Sequence, residues 1–237
     1  MENIYSRTET FIGKEAQTLL KNAKVAVLGL GGVGSYCLES LVRSGIGSFV
    51  IADGDEVSES NLNRQLIATA STVGMRKTDA AKKHILDILP SAHIDAYDVF
   101  INEKSDLSFL DGCDYVADAL DTISAKLAVI QYCKSMSIPL ISAMGAGNKT
   151  DPMGFNVADI YDTSVCPLCR VMRKELRARN IGSLKVVYST EEPRIVLQGR
   201  NDNGRNLPAS LPFVPGGMGL LMAKEIFFGI IGDKYEK

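Results

Sequence analysis

Residues 24–30 read KVAVLGL, an apolar run without polar alternate positions. A strand with one face in water alternates polar and apolar residues; a strand covered on both faces does not, and parallel sheets are built from the second kind. The run breaks at Gly29, Gly31, Gly32 and Gly34 and passes directly into residues 33–44, whose apolar positions recur at helical spacing. Strand, glycine turn and helix in that order predict the first βα unit of a parallel sheet. Further apolar runs at 49–52, 94–97, 115–117 and 140–143, with helix-period segments at 77–89 and 123–136, extend the pattern to five strands and three main helices.

After Gly147 the rhythm changes. The sequence predicts a strand at 155–160, a helix at 167–179 and short strands at 185–189 and 195–198. The stretch 199–212, GRNDNGRNLPASLP, reads as a mobile surface loop, and a final helix from about Gly216 packs back on the sheet. The expected fold is α/β: a Rossmann-like, mostly parallel sheet with helices on both faces, plus a C-terminal α+β extension. No repeat or long linker divides the chain. We read 1–237 as one domain, with a nucleotide-binding core at 1–147 and a substrate-side extension and closing helix at 148–237.

Composition sets limits on class and location. Hydrophobic residues make up 46% of the chain, enough for a core that needs neither disulfides nor structural metal. Lys plus Arg (26) nearly balance Asp plus Glu (28), so a polyanion site has to be a local patch. The N-terminus has no basic region followed by an apolar stretch. The apolar run at 218–231 is interrupted by Lys224, Glu225 and Gly229 and reads as too short and too charged to span a bilayer. Five cysteines, an odd number set mostly in apolar segments, suit a reducing compartment. The expectation is a cytoplasmic protein with no membrane partner.

Chemistry concentrates after the first strand. Gly29, Gly31 and Gly34 form GxGxxG, a turn whose backbone N–H groups and helix N-terminus attract phosphate. Asp53, ending the second strand, is placed to hydrogen-bond a ribose hydroxyl of NAD or ATP, or to cap a turn. SNLNRQ follows, with Asn61, Arg64 and Gln65, and Lys77 opens the next helix. Two cations beside a triphosphate stabilise charge on departing pyrophosphate, which hydride transfer does not release; otherwise the segment is an exposed polar turn. In YVADALDT, Asp118 and Asp121 stand at the end of the fourth strand, where ligands of open α/β sheets bind. A carboxylate there holds Mg²⁺ through waters and phosphates; the alternative for Asp121 is a helix N-cap.

GxGGxGS at 29–35, Asp53, NxxRQ at 61–65, Lys77 and DxxD at 118–121 together resemble the ThiF/MoeB/HesA superfamily, relatives of ubiquitin-activating enzymes that adenylate carboxylates with ATP and Mg²⁺. The resemblance covers most of the first 145 residues. It implies phosphate binding at the backbone of Gly29, Gly31, Gly32 and Gly34, ribose binding at Asp53, and contacts around the triphosphate from Asn61, Arg64, Gln65 and Lys77. It implies Mg²⁺ at Asp121. The N-terminal YSR would make Arg7 the arginine that reaches a partner subunit's ATP site, hence a homodimer. YSRTETFIG, MGAGNKTDP, TSVCPLCRVMRKELR and VYSTEEP resemble the tRNA threonylcarbamoyladenosine dehydratase (TcdA/CsdL) branch. Its members activate the carboxylate of that modified base and close it to a cyclic form with net loss of water.

Cys166 and Cys169 form one CxxC pair. A structural zinc site commonly takes two such pairs, and neither His84 nor His93 has zinc-like spacing to this one, so no structural zinc is expected. The sulfur-carrier activators of the superfamily carry two pairs. Some dehydratases have a cysteine just before STE, where this chain has Val186; attack by the substrate's own side chain can replace a thioester. Arg170, Arg173, Lys174 and Arg177 fall at i, i+3, i+4 and i+7, one helical face suited to a tRNA stem or to solvent, which Arg179, Lys185, Arg194, Arg200 and Arg205 could extend. Three other readings stay open: an activator of a small sulfur-carrier protein, a non-catalytic nucleotide-binding adaptor, and an NAD oxidoreductase. A sulfur-transfer protein is a possible further partner.

Overall fold

The computed structural model describes residues 4–194 and 209–232. Among them seven strands form one sheet: β1 (Lys24–Leu28), β2 (Ser48–Ala52), β3 (His93–Tyr97), β4 (Tyr115–Asp118), β5 (Leu140–Ala143), β6 (Phe155–Asp159) and β7 (Lys185–Ser189). Their order is β3-β2-β1-β4-β5-β7-β6. Every neighbouring pair is parallel except β6 with β7. Strand order reverses between β1 and β4, so a crevice opens at their carboxyl ends.

The non-alternating strand is covered on both sides. Val25 and Val27 of β1 pack with buried residues of α1 (Ser6–Asn22), α2 (Gly34–Ser44), α3 (Lys77–Ile88) and α6 (Phe213–Ile231). Ala26 and Leu28, on the opposite face, pack with α4 (Ile123–Ser135) and α5 (Pro167–Ala178). β7 continues the sheet beyond β5, so the C-terminal strands extend the same layer. The expected strand at 195–198, most of the loop at 199–212, and Arg200 and Arg205 lie outside the described residues.

Two helices differ from the sequence reading. Helix α1 was not anticipated; Gly13, at φ +82°, kinks it and breaks the apolar period, yet Ile12, Ala16 and Leu20 are buried at i, i+4 and i+8. Helix α6 starts at Phe213 rather than Gly216, because Pro215 falls in the first turn, where its missing N–H costs nothing. At 19 residues, with a mean hydropathy of 1.4 over an 18-residue window, it is longer than the run at 218–231 and passes the length and composition of a bilayer span, as core helices of soluble proteins also do. Half of that helix is buried within the protein. A Cβ on Gly219 would lie 2.3 Å from the Val33 carbonyl oxygen, and one on Gly216 3.3 Å from the Tyr36 ring. Small residues thus bring α6 against the start of α2.

Candidate active site

At the carboxyl ends of the central strands lies a cavity of about 530 Å³. Gly29, Gly31, Gly32, Asp53, Asn61, Arg64, Gln65, Lys77 and Asp121 all line it. The glycines divide the work. Gly29 has φ +85°, and a Cβ there would sit 2.7 Å from the Ala119 carbonyl oxygen. A Cβ on Gly34 would sit 1.8 Å from the Gly29 oxygen, so this glycine serves close packing behind the turn. Around Gly31 a Cβ would meet nothing nearer than Gln65 Nε2 at 4.0 Å. No protein atom demands glycine there; the space it leaves opens into the cavity.

Asp53 braces this turn. Its Oδ2 accepts from the Leu30 N–H at 2.7 Å and its Oδ1 from the Asp55 N–H at 2.9 Å. Each oxygen keeps a further lone pair. Lys77 is the first residue of α3, and its buried Nζ lies 2.7 Å from Asp55 Oδ2 and 3.6 Å from Asp53 Oδ1. Asp55, three residues beyond the end of β2 in DGDE, was not singled out from the sequence although it holds the lysine. Ser35 Oγ accepts from the Leu66 N–H at 3.0 Å, tying α2 to the polar segment.

That segment is a folded turn. Asn61 Oδ1 accepts from the Ser58 N–H at 3.1 Å, and the Gln65 N–H donates to the Asn61 carbonyl at 2.9 Å. Arg64 Nη1 donates to the Ser60 carbonyl at 2.7 Å and to Asn63 Oδ1 at 2.8 Å, which bends it back along the turn. Gln65 is 6% exposed, and its Oε1 has no partner among the described residues. An unpaired buried polar atom costs about 1–3 kcal/mol. Beside Gly31 in the cavity wall, that cost points to a ligand.

The two aspartates of DxxD part company. Asp118 is fully buried and does not line the cavity; Oδ2 accepts from Ser142 Oγ at 2.5 Å and Lys126 Nζ at 3.1 Å, and Oδ1 from the Leu120 N–H at 3.1 Å. It anchors the loop that carries Asp121. Asp121 accepts from Thr122 Oγ1 at 3.1 Å, and α4 has no side-chain cap, so the N-cap alternative is not realised. A hard oxygen donor on the cavity rim fits Mg²⁺ held by one carboxylate plus substrate phosphates. Among the described residues no three His, Cys, Asp or Glu side chains cluster as metal ligands.

Other expected residues lie elsewhere. Arg7 is exposed near the start of α1, outside the cavity lining. On α5, Arg170, Lys174 and Arg177 are exposed, with Arg177 5.1 Å from the centroid of the Tyr161 ring. Arg173 turns inward and donates to the Thr163 carbonyl at 3.0 Å and to the Thr163 hydroxyl. Cys166 and Cys169 are buried, and Val186 is buried in β7. The cavity is also lined by 144–147, part of the MGAGNKTDP stretch, and by Val99 and Phe100, which carry no sequence signal because they contribute apolar surface.

Asn148 clamps the rim beyond this wall. It sits at φ +61°, its carbonyl accepts from the Arg194 N–H at 2.8 Å, its N–H donates to the Ala209 carbonyl at 2.8 Å, and its Oδ1 accepts from the Ala209 N–H at 2.7 Å. Glu191 binds the same rim through the Thr150 and Asp151 N–H groups. Those hydrogen bonds hold its carboxyl below the ordinary value against the opposing effect of burial.

The ThiF family pattern matches residues 5–236. The chain is 42% identical over 241 residues to the tRNA threonylcarbamoyladenosine dehydratase of Bacillus subtilis (strain 168), covering 97% of this chain and 95% of that protein. To the dehydratase of Escherichia coli (strain K12) it is 34% identical over 196 residues, covering 79% and 73%. Crystalline E. coli TcdA in complex with ATP matches with a TM-score of 0.88 at 28% identity, over 98% of this chain and 96% of that one. E. coli MccB with ATP shares the fold, with a TM-score of 0.69 at 24% identity, over 99% of this chain and 65% of that one. From α1 through α6 every described element falls inside the matched span: the chain belongs to the ThiF family.

Proposed function

We propose that this protein uses ATP to adenylate the carboxylate of N6-threonylcarbamoyladenosine in tRNA and promotes its cyclisation. The observation that carries the reading is the single cavity in which the glycine turn meets Asn61, Arg64, Gln65, Lys77 and Asp121. A carboxylate oxygen attacks the α-phosphorus, the bond to the bridging oxygen of the β-phosphate breaks, and pyrophosphate leaves. Backbone N–H groups around Gly31, at the positive end of α2, hold the phosphates. Arg64 and Lys77 offset the charge gathering on the leaving group, Asp53 takes the ribose hydroxyls, and Asn61 and Gln65 supply amide contacts. Asp121 would hold Mg²⁺, which when bound supplies positive charge at the phosphates. A nucleophilic atom of the substrate's own carbamoyl group then attacks the acyl carbon and AMP leaves. The nucleoside has lost one water, whose oxygen departs on AMP.

Within this proposal 1–147 is the nucleotide-binding part and 148–237 faces the substrate. Arg170, Lys174 and Arg177 form the tRNA-facing surface, and Arg173 shapes it through Thr163. Arg7 acts across a homodimer. In support, Arg7 and Phe11 are one helical turn apart and both exposed, Phe11 by 76%. A sulfur-transfer protein partner and a cytoplasmic location belong to the same reading.

The test is AMP release from ATP with tRNA that carries threonylcarbamoyladenosine and with the same tRNA lacking it, the product nucleosides being read by mass spectrometry. AMP with the modified tRNA alone, together with loss of one water from the base, is the expected outcome. AMP release driven instead by a carrier protein ending in Gly-Gly would overturn it. Asp121→Asn is expected to abolish turnover while leaving the thermal midpoint unchanged.

A further inference from the structure

Cys166 is the N-cap of α5 and Cys169 lies three residues on, in its first turn. Cys-X-X-Cys at the start of a helix is the spacing of dithiol–disulfide pairs. Both are nearly inaccessible, 2% and 0% exposed. The environments of the two sulfurs differ. The Cys169 side chain beside Cys166 favours its thiolate, against the opposing effect of burial, and the neighbouring backbone of Cys169, Gly145 and Leu168 acts in the same sense as Cys169. Cys169 is kept protonated by its bond to Cys166 and by burial, with the Thr163 hydroxyl and Arg173 nearby acting in the opposite sense. A nucleophilic thiolate paired with a protonated thiol is the arrangement of a reactive dithiol.

The pair also touches the nucleotide cavity. A Cβ on Gly145 would lie 4.0 Å from Cys166 Sγ, and Gly145 and Leu168 both line the cavity. Gly145 thus adjoins both this sulfur and the cavity.

We propose that Cys166 and Cys169 form a reversible disulfide with a hydroperoxide as oxidant, and that its formation draws the Cys166 sulfur away from Gly145 and loosens the cavity wall at 144–147. The second half rests on the nucleotide reading of that cavity. The Cys166 thiolate attacks one peroxide oxygen, the O–O bond breaks, and sulfenic acid and hydroxide form (alkoxide where the peroxide is organic). The Cys169 sulfur, giving up its proton, attacks the Cys166 sulfur; the S–O bond breaks and hydroxide leaves to become water. The dithiol is oxidised by two electrons, and hydrogen peroxide is reduced to two waters. A reducing dithiol reverses the bond by exchange.

The test treats the full chain with hydrogen peroxide, alkylates it and measures intact mass. The expected product has lost two hydrogens and is absent from Cys166→Ser and Cys169→Ser, the latter stopping at a sulfenic acid that dimedone traps. ATP binding by calorimetry is expected to be about tenfold weaker after oxidation, as loss of one charge-assisted contact in the wall implies, and to recover with dithiothreitol. If Cys169→Ser fails to reach the wild-type thermal midpoint, Cys169→Ala replaces it. An unchanged mass, or a bond mapped to Cys37, Cys113 or Cys133, overturns the disulfide. The mass change with unaltered ATP affinity overturns the coupling to the wall. Absence of ATP binding by the reduced protein overturns the nucleotide reading instead, leaving the mass result to judge the dithiol.

Discussion

Among single residues, the glycines of one motif serve two distinct needs, and substitution separates them. Gly34→Ala drives a methyl into the Gly29 carbonyl oxygen; the expected loss is about 3 kcal/mol in the denaturation midpoint, the upper range for overpacking. Gly31→Ala meets open space. It is expected to leave stability within about 0.5 kcal/mol while weakening ATP binding more than tenfold, measured by calorimetry, since the methyl takes the place of phosphate. The sequence made both glycines visible but not this division, which depends on what packs behind the turn. It likewise paired Asp118 with Asp121, whereas Lys126 and Ser142, from α4 and β5, claim Asp118 for the interior. Nor could spacing show that Arg173 leaves the basic face, because its partner Thr163 comes from a preceding turn.

The elements that hold the site are held in turn by helix contacts. Gly219→Ala in α6 would press on the Val33 oxygen at the mouth of α2, and a loss of about 2 kcal/mol is expected in thermal or denaturant unfolding. Between α2 and α3, His84 Nε2 lies 2.6 Å from Glu39 Oε2, and Arg43 bonds the same carboxylate. Burial alone would raise the Glu39 carboxyl, but these two hydrogen bonds outweigh it and hold the group below its ordinary value. A depressed carboxyl stabilises the fold above its unfolded value and loses that contribution as pH falls through the folded one. Glu39→Gln is therefore expected to cost about 1 kcal/mol at neutral pH and progressively less as pH falls below the ordinary glutamate value of about 4.3, read from midpoints across pH. Apolar period and turn residues revealed β1 to β7 and helices α2 to α6, the last with its start three residues late. They missed α1, where Gly13 shifts the period and only the spacing of Ile12, Ala16 and Leu20 betrays the buried face.

For the whole molecule the sheet topology follows from the strand pattern, since parallel strands joined by helices leave few arrangements; that β7 joins β5 while β6 runs antiparallel at the edge does not, because both strands read alike in sequence. Assembly is a sharper question. If Arg7 serves the partner's site, Arg7→Ala and Asp121→Asn proteins are each inactive, and mixing them restores turnover. Random exchange makes half the dimers mixed with one intact site each, so about a quarter of wild-type activity is expected in the AMP assay. No recovery after verified subunit exchange rejects the shared site.

Asn148 gives the molecule a property of another kind. By gripping the chain on both sides of residues 195–208 through Arg194 and Ala209, it separates the length of that insert from the shape of the cavity. Closing a longer loop between fixed ends costs only about 0.6 kcal/mol per doubling. Variants with residues inserted between Arg194 and Ala209 are therefore expected to keep the cavity and its ligand affinity.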